Sequence, residues 1–186
     1  EKNVCDLKGV LTNINFNISD EVWKNIIDNF CQISLKNECF ATPNSMGTIY
    51  RLLLEKFIEV ESQFGVEFYT PSEIIKLLVS LLKPSENMEI YDPTVGSGGF
   101  LIGVLNYLWS KDVCTKKVLL YGQEINQDSW NKCKLNMYFN HTDSSNICLG
   151  DTLNNPMHLL KDSSLMKFDR VISSPPFALR GKLENK

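Results

Sequence analysis

The sequence predicts an α/β fold in which a parallel sheet is preceded by a small helical portion. Two observations carry this prediction. In the second half of the chain, short apolar runs alternate with helix-length stretches, a pattern typical of parallel strands joined by right-handed crossovers. Before residue 65, in contrast, apolar residues recur at helical spacing. Because such sheets bind ligands at the carboxyl ends of their strands, we expect the functional residues directly after each strand.

The helical portion is predicted to span residues 1–64 and to contain two helices. The first begins at Ser19, an N-cap candidate followed by carboxylates that suit the helix dipole. The second comprises the stretch GTIYRLLLEKFIEV. Each helix gathers apolar residues on one side: Val22, Ile26, Ile27, Phe30 and Ile33 in the first, and Ile49, Leu52, Leu53, Phe57 and Ile58 in the second.

A third helix opens the predicted core, which spans residues 65–186. Thr70 is expected to cap this helix, Pro71 to occupy its first position and Pro84 to follow its end. The strands of the core are predicted at residues 88–92, 118–124, 146–151 and 169–173, and its further helices at residues 98–109 and 127–139.

The composition fits a globular chain with one main domain and a small extension, since 43% of its 186 residues are hydrophobic and 22% are charged. The formal net charge of −3 is not that of an independent nucleic-acid binder, so a nucleic-acid substrate would need phosphate contacts from another segment or subunit. No apolar run approaches the ~20 residues of a membrane span, and no signal-peptide core is found. We therefore expect a cytoplasmic location and no membrane partner.

The cysteines and histidines predict neither a metal site nor a redox pair. The six cysteines are scattered without a CxxC pair and without a histidine at metal-ligand spacing, which favours reduced thiols. His141 and His158 stand in loop-like surroundings. Both are therefore predicted to be solvated at the surface.

The first predicted strand ends in an aspartate and a glycine-rich turn, DPTVGSGGF, which runs from Asp92 to Phe100. Gly96, Gly98 and Gly99 let the backbone approach a ligand closely, and the following helix offers unpaired N–H groups. The spacing matches neither the GxGxxG fingerprint of dinucleotide-binding folds nor the P-loop. A strand-end carboxylate beside such a turn suits a ligand that carries a cationic amine and a carboxylate.

The next two strands also end in carboxylates. Glu124 is placed to accept hydrogen bonds from both hydroxyl groups of a ribose, although a glutamate here is also a common helix-start residue. Asp151, in the stretch GDTL, could accept a hydrogen bond from the exocyclic amine of an adenine, or could act as an N-cap. Three successive strand ends that deliver carboxylates to one cleft indicate a nucleoside ligand.

The fourth strand runs into two serines, two prolines and a phenylalanine. The prolines fix φ and donate no hydrogen bond, so they form a stiff, extended turn. The side-chain oxygen of Ser174 and the carbonyl of Pro175 are acceptors that can draw on the N–H bonds of an amine, and Phe177 can stack on a base. Without the other strand ends, the same turn would be interpreted as an edge terminator with a core phenylalanine.

Taken in order, DPTVGSGGF, a strand-end acidic residue, GDTL and SPPF resemble the motifs of S-adenosylmethionine-dependent amino-methyltransferases that act on DNA. The stretches GTIYRLLLEKF and EFYTPSEIIKLLVSLLKP resemble the approach to the methyltransferase core in the modification (M) subunit of type I restriction-modification systems. The resemblance spans residues 47–177, most of the chain, and its combination of motifs is specific.

The resemblance implies a Rossmann-like methyltransferase fold, S-adenosyl-L-methionine as methyl donor, and the N6 amino group of adenine in DNA as acceptor. It also implies DNA, a specificity subunit and a restriction subunit as partners. The implied catalytic turn consists of Ser174, Pro175, Pro176 and Phe177. The implied cofactor-binding residues are Tyr69, Thr70, Pro71, Asp92, Pro93, Gly96, Ser97, Gly98, Gly99, Phe100, Glu124, Asp151 and Thr152.

Ser174 departs from the family pattern, in which adenine-modifying subunits usually carry Asn. The hydroxyl oxygen lies about one bond nearer the backbone than a carboxamide oxygen, a displacement of about 1 Å that matters in a catalytic site. Three interpretations stay open: an adenine enzyme that tolerates Ser, a cytosine-N4 enzyme, or a weak or inactive member. A protein glutamine methyltransferase and a noncatalytic scaffold subunit are further alternatives. The chain is also shorter than the fold it resembles, so we expect a partial core, truncated at its C-terminal side and inactive alone.

Overall fold

The structure is a computed structural model that describes Leu7, Val10 and residues 18–33, 45–62 and 70–176. Two predicted site residues, Tyr69 and Phe177, lie outside the described residues. The α-helices in the described ranges are α1 (Asp20–Phe30), α2 (Ser45–Ser62), α3 (Ser72–Leu82), α4 (Gly99–Trp109) and α5 (Gln127–Phe139). The strands are β1 (Glu89–Asp92), β2 (Leu119–Glu124), β3 (Ile147–Leu149) and β4 (Arg170–Val171).

The four strands form one parallel sheet in the spatial order β3-β2-β1-β4, which confirms the predicted parallel sheet. Tyr91 on β1 is in register with Tyr121 on β2 and with Val171 on β4. The chain therefore builds outward from β1 through β2 and β3, and then returns to add β4 on the other side of β1. In open α/β sheets, such a reversal leaves a crevice outside the carboxyl ends of the two strands, and ligands bind there.

Helices α4 and α5 supply the two crossovers that flank β2. Helix α4 is apolar around most of its circumference, and its buried residues are Phe100, Leu101, Ile102, Val104, Leu105 and Leu108. Helix α5 begins at Asn126, whose side chain accepts hydrogen bonds from two N–H groups in the first turn. No helix in the described ranges is long and apolar enough to cross a bilayer.

The crossover from β3 to β4 contains no helix in the described chain, and an aromatic cluster packs it on the sheet instead. His158 and Phe168 contact Tyr91 and Tyr121 at ring-centroid distances of 4.6–5.3 Å. The Nε2 of His158 lies 3.0 Å from a β2 carbonyl oxygen, and the residue is 9% exposed. The prediction of a solvated His158 is therefore wrong, because its ring fills this cluster. His141 is exposed, as predicted.

Helix α3 begins one residue later than the sequence predicts. Its N-cap is Pro71, no side chain caps it, and the Pro71 carbonyl accepts the first helical hydrogen bond from the Ile75 N–H at 3.0 Å. The expectation that Thr70 caps the helix with Pro71 at its first position is therefore wrong. The predicted end is confirmed, because Lys83 adopts a left-handed conformation directly before Pro84.

The two N-terminal helices bury little of their apolar sides. Helix α1 has no buried residue, and Ile27 and Phe30 are 54% and 56% exposed. Helix α2 buries Leu54 and contacts α5, whereas Leu52 is 50% exposed. An apolar stripe on a helix usually packs on a core. Within the described residues, nothing covers most of these two stripes.

Candidate functional site

The ends of β1 and β4 meet at a small cavity of about 50 Å³. It lies at the crevice that the strand order creates. Seven residues predicted from the sequence line it, namely Thr70, Asp92, Gly96, Ser97, Gly99, Phe100 and Ser174. The cavity therefore brings together the glycine-rich turn and the serine that precedes the two prolines.

The glycine-rich turn after β1 adopts a conformation that glycine takes most readily. Gly96 and Gly98 have φ values of 54° and 87°, in the left-handed region. A Cβ at Gly98 would lie 2.9 Å from the Cys133 Sγ, so the turn also packs closely on α5. The Gly98 N–H donates to the Val95 carbonyl oxygen at 2.8 Å, and α4 begins at the next residue. The first N–H groups of α4 therefore stand at the cavity, where an anionic group can bind them.

Asp92, the last residue of β1, is a buried carboxylate with an exposure of 1%. Its Oδ1 accepts a hydrogen bond from the Thr94 N–H at 3.0 Å, and no basic side chain in the described part of the chain pairs with it. Burial raises the pKa of Asp92 to about 7, while the Thr94 hydrogen bond lowers this pKa and the nearby Glu124 charge raises it. A cation that enters the cavity would stabilise this carboxylate.

Glu124, at the end of β2, ties the glycine-rich turn to the next strand. Its Oε2 accepts a hydrogen bond from the Gly96 N–H at 2.9 Å, and its Oε1 accepts one from the Asn126 N–H at 2.8 Å. The side chain therefore serves the loop before α5 and also stands beside the turn. Each carboxylate oxygen retains acceptor capacity, so the hydroxyl groups of a ligand can bind the same carboxylate.

Asp151 follows β3, and its carboxylate serves its own loop. Its Oδ1 accepts hydrogen bonds from the Leu153 and Asn154 N–H groups at 2.9 and 3.1 Å, and its Oδ2 accepts one from Asn154 Nδ2 at 2.9 Å. The bond from the Asn154 side chain, followed by those from the two N–H groups, lowers the pKa of Asp151. Thr152 Oγ1 donates to the Pro93 carbonyl at 2.5 Å, which joins this loop to the turn after β1.

The turn after β4 is joined to the turn after β1 through two hydroxyl groups. Ser173 Oγ lies 2.7 Å from Thr94 Oγ1. The next residue, Ser174, is half-buried and lines the cavity, whereas Pro175 and Pro176 are exposed. The cavity therefore lies beside two rigid prolines that face solvent.

Four residues of this arrangement were not predicted from the sequence, and one of them, Ile75, lines the cavity from α3. Thr94 and Val95 line the cavity although they carry neither a charge nor a glycine, and Ser173 holds the turn before Ser174. The available signal was their position, because every residue of so short a turn lies close to a ligand bound there. In contrast, the predicted site residue Pro71 is exposed at the start of α3 and does not line the cavity.

A larger cavity of about 410 Å³ adjoins the small one and shares Ile75, Ser97 and Gly99 with it. Its other walls come from α2, α3, α4 and α5, with Leu54, Val79 and Ile102 among the apolar residues. None of the carboxylates at the strand ends lines it. Of these carboxylates, Asp92 lines the smaller cavity, whereas Glu124 and Asp151 line neither of the two cavities.

Comparisons with known proteins bear on this geometry. The model of the family described as N-6 DNA Methylase matches residues 41–186. The methylase subunit of the type I restriction enzyme MpnII from Mycoplasma pneumoniae is 32% identical over 180 residues, which cover 93% of this chain and 30% of that protein. The chain thus spans less than a third of the length of this relative.

Two solved structures show the fold. A modification subunit of a proposed type I restriction enzyme from Vibrio vulnificus has a TM-score of 0.73 at 20% identity, covering 94% of this chain and 36% of that one. A proposed class I S-adenosylmethionine-dependent methyltransferase from Listeria monocytogenes has a TM-score of 0.59 at 18% identity, covering 90% and 49%. These likenesses confirm the predicted Rossmann-like methyltransferase fold. Because the family model matches most of its residues, the chain belongs to the N-6 DNA methylase family.

Proposed function

We propose that this chain is the part of a type I modification subunit that binds S-adenosyl-L-methionine and transfers its methyl group to N6 of adenine in DNA. One observation carries the proposal: the buried Asp92 carboxylate, the glycine-rich turn and Ser174 border a single cavity. Membership of the N-6 DNA methylase family supports adenine as the acceptor. The name of the Mycoplasma relative, a type I methylase subunit, supports the type of system.

The residues at the cavity fit this cofactor. A buried carboxylate without a basic partner among the described residues favours the cationic amino group of the methionine moiety. The N–H groups at the start of α4 suit the carboxylate of that moiety. A Cβ at Gly96 would meet nothing within 4 Å, so open space lies beside the turn. Thr70 lines the cavity, and we propose that it flanks the methionine moiety together with Tyr69 and Pro71.

The next two strand ends are proposed to hold the adenosine moiety. Glu124 accepts hydrogen bonds from the ribose hydroxyl groups. Its carboxylate lies beside the glycine-rich turn, where it accepts a hydrogen bond from the Gly96 N–H and keeps further acceptor capacity. Asp151 uses three of its roughly four acceptor positions within its own loop, which leaves one on Oδ2 for the amino group of the adenine. Thr152 Oγ1 donates to the Pro93 carbonyl, which holds the Asp151 loop against the turn after β1.

The diproline turn is proposed to activate the acceptor nitrogen. The lone pair of an exocyclic amine is delocalised into the base, so the nitrogen is a weak nucleophile. Ser174 Oγ and the Pro175 carbonyl accept hydrogen bonds from its N–H groups and favour a tetrahedral nitrogen. Pro176 keeps the turn stiff, and Phe177 stacks on the base once it has left the duplex, an interaction worth roughly 1–3 kcal/mol.

Bound S-adenosyl-L-methionine supplies an electrophilic methyl group next to a positively charged sulfur. The nitrogen lone pair forms the new N–C bond, and the electron pair of the broken C–S bond stays on sulfur. The surplus proton on nitrogen passes to solvent, because the Ser174 hydroxyl and the Pro175 carbonyl accept hydrogen bonds but are too weakly basic to keep a proton. Transfer is direct, so no residue of the chain becomes covalently modified.

The partners follow from the type of system and from charge. We propose DNA as substrate in the cytoplasm, with a specificity subunit that reads the target sequence and a restriction subunit in the same assembly. A net charge of −3 gives this chain no strong attraction to phosphates. Phosphate contacts from the specificity subunit or from further parts of the modification subunit would compensate for this.

The proposed function is tested with the modification subunit that carries this chain, assembled with its specificity subunit. Methyl-labelled S-adenosyl-L-methionine is incubated with duplex DNA, and the DNA is digested to nucleosides. We expect label in N6-methyl-2′-deoxyadenosine, and we expect Ser174→Asn to keep or increase it because the carboxamide oxygen reaches further towards the nitrogen. Ser145→Asn, an exposed serine after α5, is the matched control.

The other outcomes decide between the alternatives. Label in N4-methyl-2′-deoxycytidine would assign the cytosine enzyme, and label in protein would assign the glutamine methyltransferase. Cofactor binding by calorimetry without any transfer would assign the scaffold. Loss of a robust wild-type activity in Ser174→Asn would contradict the adenine mechanism.

A further inference from the structure

Two buried asparagines on α5 do not line the small cavity that holds Asp92 and Ser174, although Asn136 lines the larger one. Asn136 and Asn140 are 4% and 5% exposed, and Asn140 is the C-cap residue of the helix. The Asn140 Nδ2 donates to the Asn136 carbonyl oxygen at 2.8 Å and to the Asn136 Oδ1 at 3.1 Å. If the two amides served only their own helix, their hydrogen bonds would end within it.

Asn136 instead carries the hydrogen bonding out of the helix to the glycine-rich turn. Its Nδ2 donates to the Ser97 carbonyl oxygen at 3.0 Å, across 39 residues of sequence. That carbonyl belongs to the same peptide unit as the Gly98 N–H, which donates to the Val95 carbonyl oxygen at 2.8 Å. Both polar ends of this peptide unit are therefore held. Because a peptide unit is planar, its orientation is fixed as it leads into α4.

At its other end, the pair of asparagines lies against α2. A Cβ at Gly47 would stand 2.6 Å from the Asn140 Cγ and 2.8 Å from its Nδ2, so the α2 backbone can approach Asn140 only with glycine at position 47. Nearly one turn further, Tyr50 donates a hydrogen bond to the Lys132 carbonyl oxygen at 3.2 Å and packs on Phe139 at a ring-centroid distance of 5.0 Å. Helix α2 therefore packs on α5 close to Asn140, the first of the two asparagines.

We propose that Asn140 and Asn136 are positioning residues, through which the seating of α2 on α5 sets the Ser97–Gly98 peptide and thereby the cofactor affinity of the glycine-rich turn. The inference deepens the proposed function and rests on it. Neither asparagine lines the cavity that holds Asp92 and Ser174. Their effect is transmitted by contacts that run continuously from α2, through the two asparagines, to the glycine-rich turn.

Gly47→Ala tests this chain of contacts from its far end. Alanine forms helices better than glycine, so the substitution favours α2 itself while it displaces the Asn140 side chain. We expect the dissociation constant for S-adenosyl-L-methionine, measured by isothermal titration calorimetry, to rise about fivefold. Thr48→Ala, at an exposed position of the same helix, is the matched control and should leave the constant unchanged.

Asn140→Ala provides the decisive comparison. By itself it should also weaken binding, because Asn136 loses its partner. It removes the carboxamide that a Cβ at Gly47 would strike, so Gly47→Ala should have no further effect in the Asn140→Ala background. Effects that simply add in the double variant, or an unchanged constant in Gly47→Ala, would overturn the proposal.

A measurement without cofactor separates this inference from the proposed function. The amide resonance of Gly98 in a ¹⁵N–¹H correlation spectrum reports on the peptide unit that Asn136 holds. We expect it to shift in Gly47→Ala and not in Thr48→Ala. If the wild type does not bind S-adenosyl-L-methionine, the proposed function fails together with the claim about affinity. If it binds, and neither Gly98 nor the affinity responds to Gly47→Ala, the inference alone fails.

Discussion

Helices α4 and α2 are both rich in leucine, yet their leucines end in different surroundings. Leu105 of α4 is 1% exposed and belongs to the buried core, which also contains Leu101 and Val104. Leu52 and Leu53 of α2 are 50% and 49% exposed. Helix α4 packs on α3, α5 and β1, whereas the packing of α2 is mainly on α5. An apolar stripe therefore indicates that one side of a helix packs on something. It does not indicate which part of the molecule, or which other molecule, covers that side.

The difference shows where the stability of the described chain resides. Strand pairing brings α4 and α5 to the sheet, and their apolar side chains close the core around Ile90 and Leu101, which are fully buried. The N-terminal helices add little buried surface to it. Substitutions in the core should therefore act mainly on stability, and those in α1 and on the outer side of α2 should leave it unchanged.

The largest expected effect is that of Leu105→Ala. The substitution leaves a cavity in the buried core, which typically costs about 2–5 kcal/mol. We expect the free energy of unfolding, measured with urea, to fall by that amount. Leu52→Ala removes the same atoms from a half-exposed position and is the matched control, with an expected loss below about 1 kcal/mol. Equal losses in the two variants would break the comparison between the regions.

An intermediate effect of opposite sign is expected for Asp92→Asn. The carboxamide keeps an oxygen for the Thr94 N–H and removes the buried charge. At pH 8, we expect the free energy of unfolding to rise by roughly 2 kcal/mol, while the affinity for S-adenosyl-L-methionine falls. Asp128→Asn changes an exposed carboxylate at the start of α5 and should do neither. A core that gains no stability from Asp92→Asn would show that this carboxylate is not held in a desolvated state.

The effect of Asp92→Asn on the free energy of unfolding should depend on pH, and the pKa of Asp92 fixes the direction. The pKa of Asp92 is about 7 in the folded chain, above the value of about 3.9 in an unfolded one. Between these two values the folded state binds more protons, so the contribution of Asp92 to stability falls as the pH rises and is constant above pH 7. The advantage of Asp92→Asn should therefore vanish near pH 4. The wild-type affinity for the cationic cofactor should decrease below pH 7, where Asp92 is protonated.

The smallest expected effect is that of Phe30→Ser on α1. Phe30 is 56% exposed, and no residue of α1 is buried. We expect the free energy of unfolding to change by less than about 0.5 kcal/mol in urea titrations. A loss as large as that of Leu105→Ala would mean that this side of α1 is covered in solution, and the contrast between the two regions would disappear.

The local elements of the core could be predicted from the sequence because each is marked by its own residues. Helix α5 has the predicted bounds, and β2 begins one residue late. The strand order could not be predicted, since pairing between β1 and β4 joins residues 80 positions apart. The exposure of His158 could not be predicted for the same reason. Its surroundings include the rings of Tyr91 and Tyr121, which belong to strands far away in the sequence.

The residues of the site also fall into those that could be predicted from the sequence and those that could not. Asp92, Gly96 and Ser174 could be found because a strand-end carboxylate, a glycine turn and a proline turn are visible in the sequence, and all three border the cavity. The contact of Thr94 with Ser173 and the reach of Asn136 to the turn depend on how distant segments meet. Residues of this kind carry no mark in the sequence, since Thr, Ser and Asn are ordinary in turns and helices.

The contact between the Thr94 and Ser173 hydroxyl groups means that Ser173 and its neighbour Ser174 have different roles. Ser173 attaches the diproline turn to the turn after β1, so Ser174 is not needed for the attachment. The side chain at position 174 can therefore be exchanged during evolution without loosening the attachment. Under the proposed function, a change of one codon at position 174 would alter which base is modified, while the residues around Asp92 stay as they are.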